Sequence, residues 1–187
     1  MHRFRQHLEE IISLTDEEFE QIQSFFVYKK YKKHQVILEE GDLAKNEYLV
    51  LSGLLKSSFT DADGKEHILQ FAWENWWITD YNAFWKRENS ILSIECLEDV
   101  EVLSLSLEDK TRLHAEFRKM EQFFLKKSNA GYVGLQKRVL SLLTNSAEKR
   151  FEQLIATYPQ LLQRVPKKLI AAYLGVSRET LSRLSGK

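Results

Sequence analysis

Three charged side chains near the C-terminus, Arg178, Glu179 and Arg183, are of the types that read planar polar edges. An arginine fork offers two donors at the spacing of O6 and N7 of guanine, and a glutamate can accept from N4 of cytosine. Around them stand Ser177, Thr180 and Ser182, with Lys167 and Lys168 a little upstream. Hydroxyls and ammonium groups of this kind suit phosphate oxygens, contacts that position a protein without reading sequence. Ser177 and Thr180 equally suit capping of a helix.

Such groups act together only if the chain presents them on one face. Lys167 to Leu174 carries Leu169, Ile170, Tyr173 and Leu174 at helical spacing. Gly175 ends that pattern, because glycine accepts the left-handed conformation that turns the chain sharply. Small Ala171 stands where two helices must approach, and Val176 follows the glycine as an apolar plug. Ser177 then caps a second helix over 177–185, with Leu181 and Leu184 inward and Arg178, Glu179, Ser182 and Arg183 outward. This is the helix-turn-helix pattern. An ordinary terminal helical hairpin is the alternative; two forked donors near the N-terminus of its second helix argue against it. Double-stranded DNA is the expected partner.

The charge distribution agrees. The net charge is zero, yet residues 1–125 hold 15 Lys and Arg against 24 Asp and Glu, whereas residues 126–187 hold 12 against 3. A basic end joined to an acidic remainder directs a polyanion to one part of the chain. The single cysteine, Cys96, excludes an intrachain disulfide framework and is expected in the core. The five histidines are scattered and show no metal-ligand spacing, so no metal is expected, and nothing in their placement argues for haem ligation. No apolar run approaches the roughly 20 residues that span a bilayer, and the polar start lacks a signal-peptide core. The expectation is a cytoplasmic protein without membrane contact.

Thr15 and Glu18 form a capping-box pattern ahead of Phe19, Ile22, Phe25 and Phe26, predicting a helix. From Tyr28 the pattern changes to short strands: Val36 to Leu38, Tyr48 to Leu51, Leu54 to Thr60, His67 to Trp73, Ile91 to Leu97 and Val100 to Leu105. Asp61 to Gly64 reads as a hairpin loop, and Trp76 to Asn89 as an interruption holding a short helix. Many short strands with Gly and Asp punctuation predict a jelly roll or small barrel. A long helical region over 107–143 follows, with Phe117, Met120, Phe124, Leu135, Val139 and Leu142 in its stripe and Gly131 and Gly134 allowing close backbone approach. It serves either as a dimer helix or as a helix packed on its own barrel; its place between the two halves favours the dimer. Ser146 to Tyr158 is a further helix, and Pro159 and Pro166 bracket a link. The expected class is α+β: a barrel over 1–106, a dimer helix over 107–143 and a helix-turn-helix domain over 144–187.

This order, with three local motifs, resembles the CRP/FNR family of bacterial transcription regulators over nearly the whole chain. Val36 to Asp42 followed by Tyr48 to Gly53 is similar to the opening of the cyclic-nucleotide-binding fold. Gln136 to Leu143 is similar to the end of the family's dimer helix, and Ser177 to Arg183 to its recognition helix. The Trp-rich loop and the stretch Ser146 to Phe151 resemble the Bacteroidetes branch. The resemblance implies a homodimer reading a pseudo-palindrome, with Arg178, Glu179 and Arg183 as base-reading residues and RNA polymerase as a further partner.

The chain departs from the family where a cyclic nucleotide would sit. Family members hold the ribose with Gly-Glu and the cyclic phosphate with Arg followed by Ser or Thr. Thr79-Asp80 and Ser90-Ile91 stand at those places. Asp80 keeps an acceptor for a ribose hydroxyl; Ser90 supplies no cation and Ile91 no hydroxyl, while Arg87 reads as an exposed loop residue. Phe123 and Phe124 fall where the long helix would meet adenine. Cyclic AMP is therefore not expected to bind in the family's manner, and no cofactor is expected. Trp73, Trp76, Trp77, Tyr81, Phe84 and Trp85 either line a site for a planar or apolar effector or fill the barrel end. The candidate effector residues are Asp80, Tyr81, Ser90, Ile91 and Phe124. Only Ser185, Gly186 and Lys187 follow Leu184, which predicts few phosphate contacts and a flattened salt dependence. Two alternatives are a sensor or interaction module that has lost regulated DNA binding, which the early end motivates, and a cupin-like enzyme, for which His34 and His67 alone make no metal cluster. No enzymatic activity is expected.

Overall fold

A computed structural model describes residues 2–185. Gly186 and Lys187, part of the expectation about the short C-terminus, lie outside the described residues. The order is α1 (His2–Glu9), α2 (Asp16–Gln23), β1 (Val27–Tyr31), β2 (Val36–Leu38), β3 (Asn46–Ser52), β4 (Leu55–Thr60), β5 (Glu66–Ala72), β6 (Trp77–Ile78), α3 (Tyr81–Lys86), β7 (Ser93–Cys96), β8 (Val100–Ser106), α4 (Leu107–Glu116), α5 (Arg118–Thr144), α6 (Ala147–Thr157), α7 (Leu161–Arg164), α8 (Lys167–Leu174) and α9 (Arg178–Ser185).

The strands form two four-stranded sheets, ordered β1-β8-β3-β6 and β2-β7-β4-β5. β3 reads as an almost unbroken apolar run because both of its faces are covered. Tyr48 and Val50 join Leu55, Ile94, Val102 and Phe84 in the cluster between the sheets. Leu49 and Leu51 point the other way, joining Leu103 and Leu105 beneath Phe4, Ile22, Leu113, Met120 and Phe123. The period of two along β3 and β8 thus feeds two cores at once. A bulge between Val50 and Ser52 precedes Gly53, whose φ is 94°. A Cβ there would lie 2.3 Å from the Asp99 carbonyl, so only glycine fits this close passage.

The capping box is present: Glu18 N donates to Thr15 Oγ1 at 3.2 Å, and Thr15 N donates back to Glu18 at 2.9 Å. Three local features differ from the sequence expectation. The polar start is helical as α1, since Phe4 and Leu8 fall on one buried face. The long region over 107–143 is two helices, broken at Phe117 (φ −128°, ψ 89°), which turns the chain so that Met120, Phe123 and Phe124 enter the barrel-side core. The link between the two prolines contains the single turn α7.

Packing divides the chain into two units. One runs to Ser57 and resumes over Phe71–Asn129; the other takes Ser58–Gln70 and continues from Ala130. The division crosses α5 and assigns the β4–β5 hairpin to the second unit. Within the second unit a small core forms from Phe151, Leu154, Leu161, Val165, Ile170, Ala171, Leu174 and Leu181.

Candidate nucleic-acid interface

The helix-turn-helix is built as its residue types dictate. α8 ends at Gly175, which is left-handed at φ 67° and ψ 36°. Gly175 N donates to Ala172 O at 3.2 Å and Val176 N to Ala171 O at 3.0 Å, the paired bonds that satisfy a helix C-terminus. α9 then starts under Ser177, whose Oγ accepts from Thr180 N at 3.2 Å. Ala171 and Leu181 are buried, and α9 therefore has a fixed inner face.

Its outer face carries the expected readers. Arg178, Glu179, Ser182 and Arg183 are all exposed, and Thr180 is half-buried. Arg178 makes no side-chain hydrogen bond among the described residues, and Arg183 Nη2 makes one long contact, 3.4 Å to Thr180 Oγ1. Glu179 is held below the usual carboxylate range, first by its own helix-start amide, then by the Ser177 hydroxyl and the neighbouring Arg178 charge. It is thus an anion and an acceptor only. Lys167 and Lys168 are exposed on the first turn of α8, and Lys167 Nζ reaches Ser185 Oγ at 3.3 Å. The structure therefore gathers Arg178, Glu179 and Arg183 with Ser177, Thr180 and Ser182 on one short helix, with Lys167 at its far end.

Two residues that sequence reasoning left unassigned hold this head from behind. Arg138, half-buried on α5, donates through Nη2 to Tyr173 O at 3.0 Å and to Ile68 O at 2.9 Å, and its guanidinium lies 3.6 Å from the Tyr173 ring centroid. Arg150 on α6 donates to Leu174 O at 3.0 Å and to Asn145 O at 2.8 Å. Both arginines thus meet the last carbonyls of α8, where the helix dipole is negative. The run Gln136 to Leu143 contains Arg138, but main-chain partners leave no side-chain signature in a sequence.

The candidate effector residues are arranged differently. Asp80 and Ser90 are 3% and 2% exposed. Asp80 Oδ1 accepts from Ala83 N at 3.1 Å and caps α3, while Oδ2 accepts from Ser90 Oγ at 3.0 Å and Ile91 N at 3.2 Å. Leu92 O, 2.8 Å from Ser90 Oγ, is the alternative acceptor for that single hydroxyl proton, and Ser90 Oγ accepts from Leu92 N at 3.0 Å. Asp80, Ser90 and the Ile91 backbone therefore come together as a closed knot. Ile91 is exposed, whereas Tyr81 is exposed only in part: burial, and then the nearby Glu47 charge, push its phenol up in pKa. Phe124 lies apart from the knot in the barrel-side core, 5.0 Å from the Trp77 ring, with Lys110 Nζ 3.7 Å above its ring. Lys110 is buried and paired at 2.5 Å with buried Glu47. Burial pushes Glu47 up and Lys110 down in pKa, and their mutual attraction opposes both shifts.

The aromatic set is dispersed. Phe84 is fully buried between the sheets, Trp77 packs on the helix-side core, the rings of Trp73 and Trp76 meet at a tilt with centroids 4.4 Å apart, and Trp85 is exposed. Cys96 is buried, and its thiol is pushed up to about 12, chiefly by burial. Among the described residues there is no cluster of three or more His, Cys, Asp or Glu able to hold a metal ion, and no helix long and apolar enough to cross a membrane.

A double-sheet barrel is thus followed by a long helix and a helix-turn-helix. Residues 28–117 match the cyclic nucleotide-binding domain family. The chain is 28% identical over 103 residues to an anaerobic regulatory protein of Bacillus subtilis, covering 55% of this chain and 42% of that protein. It is 25% identical over 190 aligned positions to the anaerobic regulatory protein of Haemophilus influenzae, covering 94% of this chain and 72% of the relative. Among solved structures it shares the fold of FixK2 from Bradyrhizobium japonicum (TM-score 0.72, 17% identity, 86% of this chain and 83% of the other). The catabolite activator protein of Thermus thermophilus aligns over 96% of this chain and 85% of its own, at TM-score 0.58 and 25% identity. The chain thus carries a match to the cyclic nucleotide-binding domain and shares the fold of the CRP/FNR-type regulators to which it is similar.

Proposed function

We propose that this protein is a homodimeric, DNA-binding transcription regulator that reads a pseudo-palindromic site through residues 177–185. The observation that carries the reading is α9 itself: a capped helix with a buried apolar face and an exposed outer face of Arg178, Glu179 and Arg183 whose arginine donors remain largely unengaged. Arg178 and Arg183 would take guanine edges and Glu179 a cytosine amino group. Lys167, Lys168, Ser177, Thr180 and Ser182 would position the head on phosphates.

The second half of α5 supports the dimer. Tyr132, Val133, Leu135, Val139, Leu140, Leu142 and Leu143 are exposed, Leu143 by 79%. Gly131 and Gly134 leave open space where a Cβ would stand. A second copy would bury this face, and two-fold symmetry would set the heads about 34–36 Å apart, one turn of DNA. RNA polymerase is the further partner of such a regulator, and the cytoplasm its compartment.

The Asp80 knot supports a nucleotide pocket that does not take cyclic AMP. Both carboxylate oxygens already accept from protein donors, and Ser90 itself supplies no cation to meet a cyclic phosphate. The protein acts by binding rather than catalysis. The second reading is a sensor or interaction module without regulated DNA binding. Selection of bound sequences from random duplex DNA separates the two: the regulator enriches an inverted repeat, and Arg178→Ala relaxes one guanine position in each half. An unenriched pool sinks the regulator reading.

A further inference from the structure

We propose that Arg138 is a positioning residue that clasps the β4–β5 hairpin to the turn preceding α9, so that the hairpin's position sets how the reading helix is presented. The DNA consequence rests on the function proposed above; the clasp itself does not.

The geometry is specific. β5 is the edge strand of its sheet, so part of its main chain lacks a strand partner on the outer side. Arg138 Nη2 donates to one carbonyl of that edge, Ile68 O at 2.9 Å. The same nitrogen donates to Tyr173 O at 3.0 Å, two residues before Gly175. The guanidinium plane is seated on the Tyr173 ring at 3.6 Å. Ile68, Arg138 and Tyr173 all belong to the second packing unit, where residues 58–70 cluster with the chain from Ala130 onward. The hairpin is covalently continuous with strands whose other ends belong to the barrel, since β4 begins at Leu55 and β5 ends at Ala72.

Two features separate this from an ordinary helix cap. First, no carboxylate partners Arg138 among the described residues. Its partners are two carbonyls and a ring, and burial lowers its pKa against the favourable effect of Tyr173. A half-buried cation without a counter-ion is costly, so its contacts must recover that cost. Second, Arg150 provides a comparison in the same head. It covers Leu174 O and Asn145 O, both helix-end carbonyls, and reaches no strand. Arg150 therefore caps, whereas Arg138 caps and bridges. Arginine is needed for the bridge because its planar fork can stack and donate together, which a lysine ammonium cannot.

The test is hydrogen exchange on the full chain without DNA, comparing wild type, Arg138→Ala, Arg138→Lys and Arg150→Ala. The clasp requires Arg138→Ala to raise exchange about tenfold at both 66–70 and 173–178, with Arg138→Lys restoring neither fully. Arg150→Ala should raise exchange at the turn alone. With the selected DNA site, Arg138→Ala should lower the affinity ratio of selected over scrambled duplex about tenfold, leaving the salt slope unchanged because no phosphate contact is lost. The clasp is overturned if Arg138→Ala alters the turn but not the hairpin, or neither. Should Arg138→Ala not fold, Arg138→Lys against Arg150→Ala decides by the same two segments. A wild-type chain that selects no sequence overturns the DNA reading alone, and the exchange pattern still decides the clasp.

Discussion

Two polar constellations in this molecule contain similar residue types and have opposite states. The knot around Asp80 and Ser90 is buried, and each of its side-chain oxygens has a protein partner. The outer face of α9 is exposed, and among the described residues the Arg178 side chain makes no hydrogen bond. The difference teaches that polar density does not mark a ligand site; unmet hydrogen-bonding capacity does. Buried groups must be satisfied internally because each unsatisfied one costs about 1–3 kcal/mol. Water satisfies exposed groups, and a ligand can displace it.

That contrast can be broken most forcefully in the interior. Lys110→Met leaves Glu47 buried without its partner and should cost about 3–5 kcal/mol in denaturant unfolding, while adding Glu47→Leu recovers most of the loss. An unchanged midpoint in the single variant would mean that this interior pair is not internally balanced. Acid probes the interior next. His7 is buried, with Trp77 Nε1 donating to its Nε2 at 3.4 Å, and its pKa is lowered to about 4, first by burial and then by Lys127. An unfolded histidine has a pKa of about 6.5, so the unfolded chain takes up the proton first. The stability supplied by neutral His7 is complete above that value and is lost as pH falls toward 4, by up to about 3 kcal/mol. His7→Phe should flatten the stability curve across that window, measured by urea titration at several pH values.

The knot itself predicts a smaller loss. Asp80→Ala removes a cap and two further acceptor contacts and should cost about 2 kcal/mol. Melting the wild-type protein with and without cyclic AMP should give no shift; a rise that scales with ligand concentration would reopen the site. The smallest effect on folding belongs to the exposed face. Arg178→Ala should leave stability within about 0.5 kcal/mol while removing about 1–3 kcal/mol of discrimination at one guanine, read by competition binding. Loss of stability in that variant would place Arg178 among the structural groups instead.

How far these regions were legible follows from how each is held. The α8–Gly175–α9 unit is local, and each determinant lies within a few residues of its effect: Gly175 turns the chain, Ser177 caps and Leu181 packs. The β3 run announced burial but not which core each side chain enters, since Leu49 and Val50 differ only in parity. The break at Phe117 was hidden because its apolar side chain fits the helical stripe on either side. Asp80 was recognised as an acid at a pocket position, while its partners Ser90 and Ile91 lie ten and eleven residues away. Arg138 was legible only as part of the run ending α5, because its partner Ile68 lies seventy residues earlier and contributes a carbonyl common to every residue.

The sequence by itself determined the kinds of element, the place of the turn and the chemistry of the α9 face, because helix periodicity, capping and glycine conformations act over one or two turns of chain. The tertiary structure alone decided which polar groups are engaged. Asp80 became part of a closed knot and Arg138 a bridge between a strand edge and a helix end because main-chain donors and acceptors, identical in every residue type, acquire their partners only when distant segments meet.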